Sequence, residues 1–146
     1  MQFNFRFERL LGIKKRKEEQ LRREYFLHMN AYLAVMNDLV KLKRERDEAI
    51  LRRKKMEREG ARVPEFDVIE NFLEGNKTLC IKKIEEIKEN RKSLDVSKNE
   101  MLHASKERSL FDRLREKAFR EYRLGKEAKE INDLDEIATL YSGRTG

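Results

Sequence analysis

Tryptophan is absent, and cysteine and proline occur once each, as Cys80 and Pro64, in a chain of 146 residues. A lone cysteine excludes an intramolecular disulfide framework, and with only His28 and His103 beside it no zinc-ligand spacing exists. The same scarcity fits a reducing compartment. Glycine is also rare, with 6 in the chain. So few turn residues exclude the frequent tight turns of a β-sandwich, a β-barrel or a βαβ array. Long apolar runs are missing too. The least charged window, residues 25–40, carries Asp38 as its only formal charge but includes His28, Asn30 and Asn37. It is short for a membrane span, and it reads as the buried seam of a helix pair. The opening Met1-Gln2-Phe3-Asn4-Phe5-Arg6 has no apolar core of a cleaved secretion signal.

What fills the chain is charge. Asp, Glu, Lys and Arg make up 43% of it and hydrophobic residues 38%, a balance of helix-favouring residues with little for a large core. The formal net charge of +7 is unevenly placed: residues 1–64 hold 18 Lys and Arg against 10 Asp and Glu, and residues 65–146 hold 17 against 18. Basic clusters such as Lys14-Lys15-Arg16-Lys17 and Arg52-Arg53-Lys54-Lys55 lie near acids, as in Glu18-Glu19 and Asp47-Glu48. Mixed charge of this kind is the solvated face of an exposed helix. A basic stripe for nucleic acid is the alternative, but no zinc-finger or RNP-type pattern accompanies it, and nucleic acid is not an expected partner.

Helix punctuation clusters at one place, Gly60-Ala61-Arg62-Val63-Pro64. Gly60 suits the left-handed position just past a helix end, and Pro64 suits the first turn of a new helix, where its missing N–H costs nothing. Upstream, a heptad seam runs through Leu11, Lys14, Glu18, Leu21, Tyr25, His28, Tyr32, Val35, Leu39, Leu42, Arg46, Ala49, Arg53 and Met56, widened by Met29, Met36 and Ile50. Downstream, Phe66, Leu73, Cys80, Ile87, Leu94 and Met101 recur every seventh residue. A second row gives Ile69, then polar Asn76, Lys83, Asn90 and Ser97, then Ala104, Phe111 and Ala118. A sustained repeat of about 3.5 residues buries a narrow seam between two helices, and a short link makes them antiparallel.

The expected fold is therefore all-α, a long two-helix antiparallel coiled-coil hairpin forming a single domain over residues 1–146. Its helices span about 4–59 and 65–141, with a turn at 60–64. Seam meets seam where paired residue numbers add to about 122 or about 129; about 136 also fits if residues 60–76 fold into a tip. The tight link is preferred because Phe66, Ile69 and Leu73 continue the downstream heptad. Arms of ~80 Å and ~115 Å follow, so the second helix overhangs the first. Leu124, Ala128, Ile131, Leu134, Ala138 and Tyr141 trace one face of that overhang. Such a face calls for a partner, unless Phe3, Phe5 and Phe7 fold back over it.

Nothing points to catalysis, a metal or a cofactor. The glycines never take the spacing that cradles a phosphate. His28 falls on the seam as a polar layer, and Cys80 reads as a small buried hydrophobe. A helical hairpin has no concave site of the usual volume, so the chain is not expected to be an enzyme.

Three stretches carry a resemblance. Phe5-Arg6-Phe7-Glu8-Arg9-Leu10-Leu11, followed by Ile13-Lys14 and Glu18-Glu19, pairs aromatic and basic residues with a Leu-Leu step. The others are Phe72-Leu73 through Ile84-Glu85-Glu86, and Glu130-Ile131-Asn132-Asp133-Leu134-Asp135-Glu136-Ile137-Ala138. Together they resemble the flagellar export protein FliJ family over nearly the whole chain.

The resemblance implies a cytoplasmic component, peripheral at the cytoplasmic face of the membrane at the flagellar base, in type III protein export. It implies a stalk-like coiled coil that enters the hexameric export ATPase and promotes its activity. The export-gate membrane protein and export chaperones are the further implied partners, without direct membrane insertion. On that reading the ATPase-facing residues are Phe5, Arg6, Arg9, Leu10, Leu11, Ile131, Leu134, Asp135, Glu136 and Ile137. Phe66, Ile69 and Phe72 near the bend are expected to meet the gate or chaperones. A structural coiled-coil scaffold or homodimer, a basic nucleic-acid-binding hairpin and a virulence-type export stalk remain alternatives.

Overall fold

The structure is a computed structural model that describes residues 2–145. Two α-helices, α1 (Glu8–Glu59) and α2 (Val63–Thr145), pack against each other as an antiparallel hairpin, with no strand among the described residues. The first helix starts at Glu8 rather than near Asn4. Phe5 turns the chain, its carbonyl accepting from the Glu8 N–H at 3.2 Å, and the Phe7 carbonyl takes the first helical bond from Leu11 at 2.8 Å. Glu8 in the first turn and Arg58 in the last complement the helix dipole.

The link is shorter than the spacing predicts, because Val63 and Pro64 already belong to α2. Gly60 has φ 81° and donates its N–H to the Met56 carbonyl at 2.8 Å, which closes α1 with a left-handed cap. The Arg62 carbonyl accepts from Glu65 at 3.0 Å and opens α2. Pro64 sits in that first turn, where no donor is lost. The second helix then continues to Thr145, past the expected end near Tyr141.

Cross-helix contacts settle the register. Lys14 with Glu107, Arg53 with Glu70, Lys83 with Asp38, Arg91 with Tyr32 and Arg115 with Glu8 all pair residues whose numbers add to about 122, the tight-link arrangement. A folded tip over residues 60–76 is excluded, since residues 63–76 are helical.

The contacts divide the chain into two units, each holding a stretch of both helices. One comprises the residues before Leu21 and after Met101, the other Leu21–Met101. In the second unit the buried seam is Val35, Ile69, Cys80 and Leu94, with Asn76 and Ser97 buried among them. In the first unit Phe5, Leu11 and Ala104 are buried together with the carboxylate residue Glu18. Fully burying a Leu or Ile contributes about 1.5–3 kcal/mol.

Two expectations about the middle of α1 need correction. His28 is exposed, not a seam layer, and Arg46 is exposed as well. At this point the half-buried positions are Glu24, Tyr25 and Met29, because a straight helix of 3.6 residues per turn drifts from a strict heptad. The weakly charged window 25–40 is not simply a buried seam either. Tyr25, Tyr32, Val35 and Leu39 face α2, whereas Phe26, Leu27, Leu33, Met36 and Val40 are exposed.

Candidate functional site

Aromatic side chains fix the N-terminal segment. The ring of Phe3 stands edge-on to Phe119 with centroids 5.2 Å apart and lies 5.5 Å from Tyr122. Phe7 meets Phe111 at 6.2 Å, and Phe5, buried, meets Phe7 at 5.8 Å. Offset and edge-on pairs of this kind add about 0.5–1.5 kcal/mol beyond the area they bury. The Arg115 guanidinium lies 5.6 Å from the Phe3 ring while its Nε donates to Glu8 at 2.8 Å. Residues 3–7 thus do fold back, but they cover α2 only as far as Tyr122. Beyond it, residues 123–143 are all exposed, and Leu124, Ile131, Leu134, Leu140 and Tyr141 each keep about 60–70% of their surface in water.

Ion pairs tie this unit together. Lys14 Nζ donates to Glu107 Oε2 at 2.7 Å, and this bond, opposed by desolvation and aided by the nearby charges of Lys14, His103 and Lys17, holds the Glu107 carboxyl below its usual range. Arg108 reaches buried Glu18 at 3.5 Å and Asp112 at 3.1 Å. In the other unit Lys83 is raised above the usual lysine value, chiefly by its bond to Glu86 and with help from Asp38. Arg91 is likewise raised, first by its bond to the Tyr32 hydroxyl.

The residues expected to face a ring fall into distinct sets. Phe5 and Leu11 are buried, Leu11 to 1% exposure, so they shape this end from within. Arg6, Arg9 and Leu10 are exposed at the start of α1, and Ile131, Leu134, Asp135, Glu136 and Ile137 are exposed on α2. The start of α1 is level with Arg115 through the Glu8 pair. Ile131 lies sixteen residues further on, about 24 Å along the helix. Two patches result rather than one continuous surface.

Near the link, Ile69 is buried, Phe66 is half-buried and Phe72 is exposed at 45%. Their acidic neighbour Glu70 is held by Arg53 at 2.9 Å. The apolar row of Phe26, Leu33 and Val40 is a surface that heptad reasoning missed. Its signal was present in the sequence: with Met29 and Met36 between them, these residues are spaced by three and four.

Among the described residues no helix is long and apolar enough to cross a membrane, and no group of three or more His, Cys, Asp or Glu is placed to hold a metal ion. The architecture is that of an antiparallel coiled-coil hairpin whose second helix runs on uncovered. A family model for the flagellar FliJ protein matches residues 3–146, and the chain belongs to that family. No curated protein and no solved structure matches it. Membership ties the chain to flagellar protein export.

Proposed function

We propose that the chain is a non-catalytic stalk of the flagellar export machinery, acting at the cytoplasmic face of the flagellar base. It inserts the uncovered end of α2 into the hexameric export ATPase and promotes the activity of that ring. The observation that carries this reading is residues 123–143 of α2, helical and exposed throughout, with Leu124, Ile131, Leu134 and Ile137 open to solvent. An exposed apolar row on a long helix is unfavourable in water and calls for an enclosing partner. A single helix in a six-fold ring touches the subunits unequally. Differential contact of that kind is the only way a stalk can bias their conformations.

In this reading Ile131, Leu134 and Ile137 supply apolar contact, Asp135 and Glu136 supply charge, and Arg6, Arg9 and Leu10 form a second contact nearer the mouth of the ring. Phe5 and Leu11 act by packing that end. Phe72, with Phe66 and Ile69 behind it, serves the export gate or export chaperones. The test is ATP hydrolysis by the cognate export ATPase with and without the chain. The full chain should stimulate it. Ile131→Glu with Leu134→Glu should abolish stimulation while leaving helix content unchanged, and Arg6→Glu with Arg9→Glu should remove the salt-sensitive share. Undiminished stimulation by the Ile131, Leu134 double variant would overturn the assignment.

A further inference from the structure

The register that joins α1 to α2 leaves a second heptad without a partner. Phe26, Met29, Leu33, Met36 and Val40 follow one another at steps of three and four, the spacing of a coiled-coil seam. The helix already uses Tyr25, Tyr32, Val35 and Leu39 against α2 and half-buries Met29 at the edge of that seam, so Phe26, Leu33, Met36 and Val40 lie beside it rather than in it. It runs about 21 Å. In an antiparallel pair the rows one step on from each seam face the same side. On α2 that row contains Ile81 and Ile84, which the register sets level with Val40 and Met36. Phe26, Leu33, Val40 and Ile81 are each about half exposed. Together they form an apolar strip flanked by two helices, the place where a third helix packs in a coiled coil.

Charge says what that third helix is like. The strip is continued at its two ends on α1 by Arg22 and Lys43, and along α2 by Lys88, Arg91 and Lys98; between those ends the same rows hold one carboxylate, Asp95, with Glu19, Asp47 and Glu74 following only beyond them. Lys88 and Arg91 do pair with Glu85 and Asp95 on their own helix, at 3.6 and 3.5 Å. Exposed pairs at this spacing are weak and leave the border basic. A second copy of the chain would bring two such borders face to face. A helix with an apolar stripe and carboxylates beside it meets apolar with apolar and cation with anion.

We propose that this strip is a docking surface for an acidic amphipathic helix of another protein, which binds as the third strand of a coiled coil. The surface is independent of the exposed end of α2 and of the residues near the link, so it stands whether or not the stalk reading does.

The test uses the full chain and a synthetic, fluorescently labelled helix of about three heptads with Leu at a and d and Glu at e and g. A second peptide has Lys in place of every Glu. Fluorescence anisotropy should show the acidic peptide binding and the basic one binding at least about tenfold more weakly. Leu33→Glu with Val40→Glu should weaken the acidic peptide by about tenfold or more, and Leu124→Glu with Leu134→Glu should leave it unchanged. These positions are exposed, so the variants should keep the helix content and melting temperature of the parent. Lys88→Glu with Lys98→Glu should reverse the preference towards the basic peptide. No binding, equal binding of both peptides, or indifference to the Leu33 and Val40 changes would each overturn the proposal. So would a dimer in sedimentation that Leu33→Glu with Val40→Glu dissociates, since the occupant would then be a second copy.

Discussion

The side-chain amide of Asn76 donates a 2.9 Å hydrogen bond to the backbone carbonyl of Leu42 on the opposite helix, from a position only 3% exposed. Its oxygen lies 3.5 Å from the Cys80 thiol, one turn on. A buried amide in a seam must find a partner, and sliding the helices by a heptad would take this one away from Leu42. A polar residue placed so specifies register at a cost in stability. Asn76→Leu should therefore raise the melting temperature while loosening the register. Cysteine pairs in a Cys80→Ala background read this out. Val35→Cys with Ile87→Cys should cross-link in the parent. Val35→Cys with Leu94→Cys, one heptad away, should cross-link appreciably only when Asn76→Leu is added.

Leu11 has 1% of its surface exposed, the least of any large side chain described. Leu134, of the same chemistry, is 64% exposed. Leu11→Ala should cost about 2–4 kcal/mol, the loss of transfer energy plus a cavity that two helices cannot fully close. Leu134→Ala should stay within about 0.5 kcal/mol. Urea unfolding followed by circular dichroism gives both values. The pair separates a residue that holds the hairpin from one that is free to meet a partner.

Much of this was legible in the sequence because seams are periodic. Every member of both α2 rows, from Phe66 to Met101 and from Ile69 to Ala118, is buried or half-buried, including the polar Asn76, Lys83, Asn90 and Ser97. The link was legible because Gly60 and Pro64 stand almost alone. The window 25–40 was not, for a physical reason. Periodicity tells that a helix has an apolar row, but not whether another helix covers it, and here two rows overlap. Coverage depends on the facing helix, whose position only the folded chain defines. The same holds for the ring-facing residues: motif reasoning grouped Phe5 and Leu11 with Arg6 and Ile131, but burial separates them. The small shift of the start of α1 to Glu8 was not legible because the aromatic contacts of Phe3 and Phe7 with Phe119 and Phe111 that hold this segment are set by the facing helix.

The Lys14 and Glu107 pair gives stability a defined dependence on acid. The Glu107 carboxyl titrates below its usual value of 4.5 in the folded chain, first because Lys14 bonds to it. A group whose folded value is depressed contributes stability above its unfolded value, and that contribution is lost as pH falls through the folded one. Thermal melts should show the hairpin weakening as pH drops below about 4.5. Glu107→Gln should be less stable than the parent at neutral pH and show a shallower decline in acid, the two curves converging at the low end. The effect is modest, since both side chains are partly in water, and added salt should reduce it. Curves that stay parallel throughout would show that the pair plays no part.

One substitution made at two glycines should change stability in opposite directions. Gly60 closes α1 at φ 81°, and a Cβ built there meets nothing within 4 Å. Its replacement by Ala therefore has no steric contact to relieve or lose. The whole cost is that of forcing an L-residue into the left-handed region, about 1 kcal/mol. Asn tolerates that region better, so Gly60→Asn should cost less than Gly60→Ala. Gly75 lies inside α2 with ordinary helical backbone, and its added Cβ also meets nothing within 4 Å. Gly75→Ala removes backbone freedom from the unfolded chain and should stabilise by about 0.5–1 kcal/mol. Urea midpoints that move down for Gly60→Ala and up for Gly75→Ala would show that the chain turns back at Gly60 and runs through Gly75 as continuous helix. A loss at Gly75 as large as that at Gly60 would mean that the backbone bends there instead, and the tight-link register would have to be abandoned.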